Sequence, residues 1–109
     1  MVAAHWTDVV TDSAGVCVAT VGAAPSRRFV VEWPDVRYFN DSGGARVTFE
    51  IVLEETTGVI NLLYPTLGSR QATAGVENFD GSDGVSLCSP PGAPCPLTSG
   101  SRVRLTPRP

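Results

Sequence analysis

Three stretches of this chain alternate apolar and polar residues at a period of two: Arg28–Trp33, Val47–Glu54 and Val59–Tyr64. That period places every second side chain on one face of an extended strand, and β-branched and aromatic residues fill the apolar positions. No window carries a 3.6-residue apolar repeat, so no helix longer than about two turns is expected. Turn chemistry separates the stretches: Gly22–Ser26, Asn40–Gly44, Glu55–Gly58 and Asn78–Gly84 are rich in residues that tolerate positive φ or tight turns. The pattern predicts an all-β protein, an antiparallel, jelly-roll-like β-sandwich of about seven to eight strands in a single domain spanning 1–109.

Residues 1–13 read as loosely ordered, either a short strand or a loop carrying a buried Trp6. Strands are expected over 15–21, over 27–33 with a stop at Pro34, over 36–39, and over about 45–54 and 58–64 as a hairpin ended by Pro65. Further strands are expected over 71–77, 85–88 and 101–105, with 89–100 a Cys/Pro-rich loop. Parity sends Phe29, Val31 and Trp33 inward, with Val47, Phe49, Ile51 and Leu53 and with Ile60, Leu62 and Tyr64. The same parity leaves Val30, Val52, Val59 and Leu63 on the outward faces, hinting at a second contact surface.

Composition narrows the function. A net charge of −3 gives no electrostatic pull toward nucleic acid or anionic lipid. No apolar run approaches the ~18 residues of a membrane span. The first ten residues lack a basic n-region and an apolar h-region, so the export signal of an extracellular module is expected upstream of this chain.

Catalytic side chains are scarce. The single imidazole is His5, every basic residue is Arg, and no Ser sits in a Gly-x-Ser-x-Gly elbow. Glu50 and Glu54 share a face but stand ~13 Å apart along a strand, beyond the ~5–9.5 Å of glycosidase carboxyl pairs. Glu32 can approach Glu50 from a neighbouring strand, yet Arg28 and Arg46 are expected to neutralise both in a solvated cross-strand network. The chain reads as a non-enzyme.

Three ligand-type features remain. Tyr38 and Phe39, beside Asn40 and Asp41 of a turn, would suit contact with a glycan or protein if exposed. Asn78, Asp80 and Asp83 alternate oxygen donors as calcium loops do, but the segment lacks the bidentate Glu, and a plain Asx/Gly turn accounts for it equally. No other cofactor is expected. Cys88 and Cys95 flank a Pro-rich loop that a disulfide closes easily, with free thiols and a metal as competing readings, whereas Cys17 reads as a buried structural thiol.

The segments His5–Val9, Gly15–Gly22, Ala24–Trp33, Val47–Leu53, Ile60–Tyr64 and Ala72–Asn78, closed by Ser99–Pro107, together resemble a β-sandwich module found in large secreted bacterial proteins. Such modules accompany extracellular proteases and surface proteins and are loosely similar to the nidogen-type domain. The resemblance implies a non-catalytic extracellular or cell-surface accessory module of adhesion type, whose partners are other protein domains or surface glycans. An accessory fragment of a secreted hydrolase and a carbohydrate-binding module are the alternatives. The resembling module has a preceding half, and the loop between Cys88 and Cys95 is an insertion relative to it. The chain is therefore expected to behave as an incomplete sandwich that either pairs through an open sheet edge, most simply as a two-fold homodimer, or exposes enough apolar surface to be only marginally stable.

Overall fold

The computed structural model describes residues 1–12, 14–68, 72–89 and 95–109. All regular structure among them is β: β1 (Val2–Trp6), β2 (Val9–Val10), β3 (Cys17–Val21), β4 (Arg28–Tyr38), β5 (Arg46–Glu54), β6 (Ile60–Thr66), β7 (Thr73–Glu77), β8 (Gly84–Cys88) and β9 (Ser101–Leu105). No helix among the described residues is long and apolar enough to cross a membrane.

The strands form two antiparallel sheets. A six-stranded sheet runs β2-β4-β5-β6-β9, with β3 pairing the other end of the β4 edge, and a three-stranded sheet runs β1-β7-β8. The β5–β6 hairpin is the one expected, with Glu54 N–H donating to Val59 O (2.9 Å) across a turn in which Thr56 holds φ 68°. Val47, Phe49, Ile51 and Leu53 of β5 share a face with Phe29, Val31 and Trp33 of β4 and with Ile60, Leu62 and Tyr64 of β6, because directly paired residues lie on one side of a sheet.

Three differences from the sequence reading have local causes. Pro34 does not end its strand: β4 continues to Tyr38 through a register shift between Trp33 and Val36, with Asp35 at φ 46°. A bulge is where a strand tolerates proline, since the local ladder is already interrupted. The bulge also resets the alternation, which carries Val36 and Tyr38 into the core. Pro65 likewise lies inside β6, beside the shift between Thr48 and Glu50. Residues 1–13 contain two paired strands: β1 against β7, and β2 against the end of β4.

The core lies where the small sheet covers the large one. It holds Ala4, Val36, Tyr38, Val47, Phe49, Leu62 and Tyr64. Tyr64 Oη donates to Ala4 O at 2.6 Å, linking the two sheets, and its burial pushes the phenol up to about 12. Gly68 makes room for Tyr38: a β-carbon there would stand 2.6 Å from the Tyr38 ring. The small sheet is equally tight, since a β-carbon on Gly75 would meet Val85 O at 2.4 Å.

The outer face of the large sheet is less open than alternation implies. Val52 and Val59 are buried, not exposed, as is Asn61. Val30, Val52 and Asn61 occupy one cross-strand row, and long polar side chains close around it. Asn61 donates to Glu54 (2.9 Å), Arg102 donates to Asn61 (3.2 Å), and Arg104 reaches Glu54 (3.4 Å).

Candidate interaction face

The three-stranded sheet does not reach across the whole inner face of the larger one. At the β3 side, Val18 is 64% exposed, Phe29 43% and Leu53 38%, although parity points Phe29 and Leu53 inward. Val18 pairs directly with Val31, which pairs with Ile51, and Phe29 pairs with Leu53. These rows continue toward Trp33, which stacks on Phe49 with ring centres 4.8 Å apart. Trp6, 64% exposed rather than buried as expected, borders the same region from β1. Between β1 and this floor lies an open cleft of about 270 Å³ lined by Trp6, Val9, Trp33, Phe49 and Ile51.

The far end of the strip is charged and balanced. Arg27 grips Glu55 through its backbone N–H (3.1 Å) and its Nε (2.9 Å), beside Thr20, Phe29 and Leu53. The Arg27 guanidinium holds the Glu55 carboxyl down to about 2. No charged residue stands within the apolar rows themselves.

The other candidate residues lie elsewhere. Tyr38 is buried, which corrects the expectation of an exposed Tyr38–Phe39 platform; its phenol and the Nε2 of His5 are 3.0 Å apart. Phe39 is exposed at the end of β4, followed by Asn40 at φ 54°, while Asp41 accepts from Gly43 and Ala45 N–H within the turn. His5 also packs against the rings of Tyr38 and Phe49, and burial lowers its pKa to about 4.

In the 78–83 turn, Asn78 donates to Ser82 (3.0 Å), Ser82 donates to Asp80 (2.6 Å), and Asp83 accepts from Arg108 (3.2 Å). Phe79 stands at its tip, fully exposed. Among the described residues no group of three or more His, Cys, Asp and Glu side chains could hold a metal ion.

Cys88 and Cys95 are joined, with Cα atoms 4.9 Å apart; residues 90–94 of their loop lie outside the described residues. Cys17 is exposed, which corrects its reading as a buried thiol: it lies on the edge strand β3, with no further strand beside it among those described. It faces Glu32 across the ladder.

The carboxylates also pair differently from expectation. Glu32 lies directly opposite Glu50, Arg28 lies opposite Glu54, and Arg46 binds Asp12 together with Arg37. Burial, and then the Glu32 carboxyl, hold Glu50 above the ordinary carboxylate range. Two arginines hold Asp12 below it.

Residues 1–101 match a family model described as "NIDO related". The chain belongs to that NIDO-related family. The nidogen-type part of the sequence resemblance is thereby supported along nearly the whole chain. No curated protein and no solved structure gives a significant match. Within this NIDO-related chain, sequence reasoning missed the exposed apolar corner because alternation reports which side of a strand is apolar, not whether another layer covers it.

Proposed function

We propose that this NIDO-related chain is a non-catalytic extracellular accessory module, of the kind appended to secreted and surface proteins, that acts by making protein contacts. The observation that carries this reading is the uncovered apolar corner formed by Val18, Phe29 and Leu53 with Trp6 at its border. Contiguous apolar surface on a folded domain marks a place of contact far more often than isolated exposed residues do. The disulfide between Cys88 and Cys95 supports an oxidising compartment.

A second reading rests on Phe39, which stands exposed beside Asn40 and Asp41 and supplies an aromatic face with polar neighbours suited to a surface glycan. Tyr38 takes no direct part in it, because its ring is in the core.

Hydrophobic-dye fluorescence tests the leading reading, run in parallel with immobilised binding to panels of extracellular-matrix proteins and glycans. Dye binding that falls in a Phe29→Thr/Leu53→Thr variant supports it. Absence of dye binding by the unmodified chain at concentrations where its mass is that of one chain overturns it. Glycan capture lost in Phe39→Ala and kept in Phe29→Thr/Leu53→Thr selects the second reading.

A further inference from the structure

We infer that the apolar corner of the six-stranded sheet is an isologous contact surface whose occupant is a second copy of this chain. The inference rests on the protein-contact reading above and names the partner. Three observations favour a second copy over a different protein. The rows Thr20–Phe29–Leu53 and Val18–Val31–Ile51 carry no charge, so a two-fold axis through them brings no like charges together.

The rim is self-complementary. Arg27 and Glu55 sit side by side at the end of the strip, one of each sign, so a two-fold operation can set the Arg27 of one copy toward the Glu55 of the other. A partner selected by charge would instead meet a rim of one sign.

The area also suits a dimer. Aromatic side chains carry about 150–250 Å² each, and Trp6 and Phe29 expose roughly half of theirs. Adding Val18 and Leu53 gives on the order of 400 Å² of largely apolar surface per copy, about half of the ~800 Å² per partner of a standard interface, the remainder falling to the polar rim and the partly buried floor. Stacked face to face, two such corners form the layer contact that neither completes alone.

The test is the mass of the intact chain by sedimentation and light scattering over a wide concentration series. Three proteins are compared: the unmodified chain, Phe29→Thr/Leu53→Thr, and Val18→Arg. Val18 is largely exposed, so Val18→Arg removes little packing and keeps the test valid if the double variant fails to fold. The expected result is a reversible dimer for the unmodified chain. Each variant should weaken it at least about tenfold, with an unchanged β circular dichroism spectrum in any variant that folds.

A one-chain mass at every concentration overturns the inference. If that monomer binds hydrophobic dye, the protein-contact reading stands and the occupant is another protein; if it does not, both readings fail. A dimer that survives Val18→Arg, and Phe29→Thr/Leu53→Thr where that variant folds, also overturns the inference, by placing the contact elsewhere.

Discussion

The imidazole of His5 and the phenol of Tyr38 meet 3.0 Å apart between the two sheets, one from β1 and one from the end of β4. The contact ties the first strand of the chain to the core of the large sheet, next to the bond from Tyr64 to Ala4. A histidine so placed is held neutral by burial, with its pKa lowered to about 4 from the ordinary 6.5.

That depression has a sign for stability. Between the two pKa values the unfolded chain binds a proton that the folded chain does not, so stability falls as pH drops from about 6.5 to about 4. Because His5 is not fully buried, the loss attributable to it is on the order of 1–2 kcal/mol. His5→Gln, which can still hydrogen-bond to Tyr38, should flatten this part of the curve. Denaturant midpoints at a series of pH values check it: an unchanged slope in His5→Gln assigns the acid loss to other groups.

Glu50 behaves oppositely. Its folded pKa is raised, by burial and then by Glu32, so its contribution is most favourable at low pH and turns destabilising as pH rises through that folded value. Glu50→Gln should therefore stabilise the protein near neutral pH by a few tenths to about 1 kcal/mol, the scale of like charges directly opposed in a sheet. The gain should vanish in acid, where both carboxyls are protonated. A variant less stable than the parent at neutral pH would show that Glu50 makes a compensating contact.

Removing the Tyr64 hydroxyl leaves the Ala4 carbonyl buried without that donor. Tyr64→Phe should cost about 1–3 kcal/mol with little change in fold. Tyr64 itself should ionise later than the free amino acid, since burial pushes it up to about 12. Urea unfolding and an ultraviolet phenolate titration measure the two effects separately.

Under native, non-reducing conditions, alkylation should add one group per chain, at Cys17, because Cys88 and Cys95 are joined. Reducing the bridge should lower stability by about 2–3 kcal/mol, the loop-closure value for a short ring. Three adducts before reduction, read by intact mass, would contradict the first outcome. An unchanged thermal midpoint after reduction would contradict the second.

Gly75→Ala tests the small sheet. Its added β-carbon would stand 2.4 Å from Val85 O, an atom fixed in the β7–β8 ladder. The strands must part to accept it, at a cost of about 1–3 kcal/mol. A variant as stable as the parent would show that β7 and β8 are less tightly held than their pairing implies.

The amino-acid pattern alone determined what depends on neighbours along the chain. Period-two alternation identified β4, β5 and β6 and their shared inner face, and the Glu55–Gly58 turn identified the hairpin, because both are local properties of backbone and pleat. The Cys88–Cys95 pairing was legible for the same reason: a short Pro-rich loop brings its own ends together. Tertiary structure decided the rest. A bulge at Asp35 carried Tyr38 inward, and the polar network of Glu54, Asn61 and Arg102 enclosed an outward Val52. Cys17 came to an open sheet edge, and Phe29 and Leu53 to a face the small sheet does not cover. Each outcome depends on which distant strand lies above or beside a residue. Alternation says which side of a strand is apolar; only the placement of the second layer says how much of that side is hidden from water.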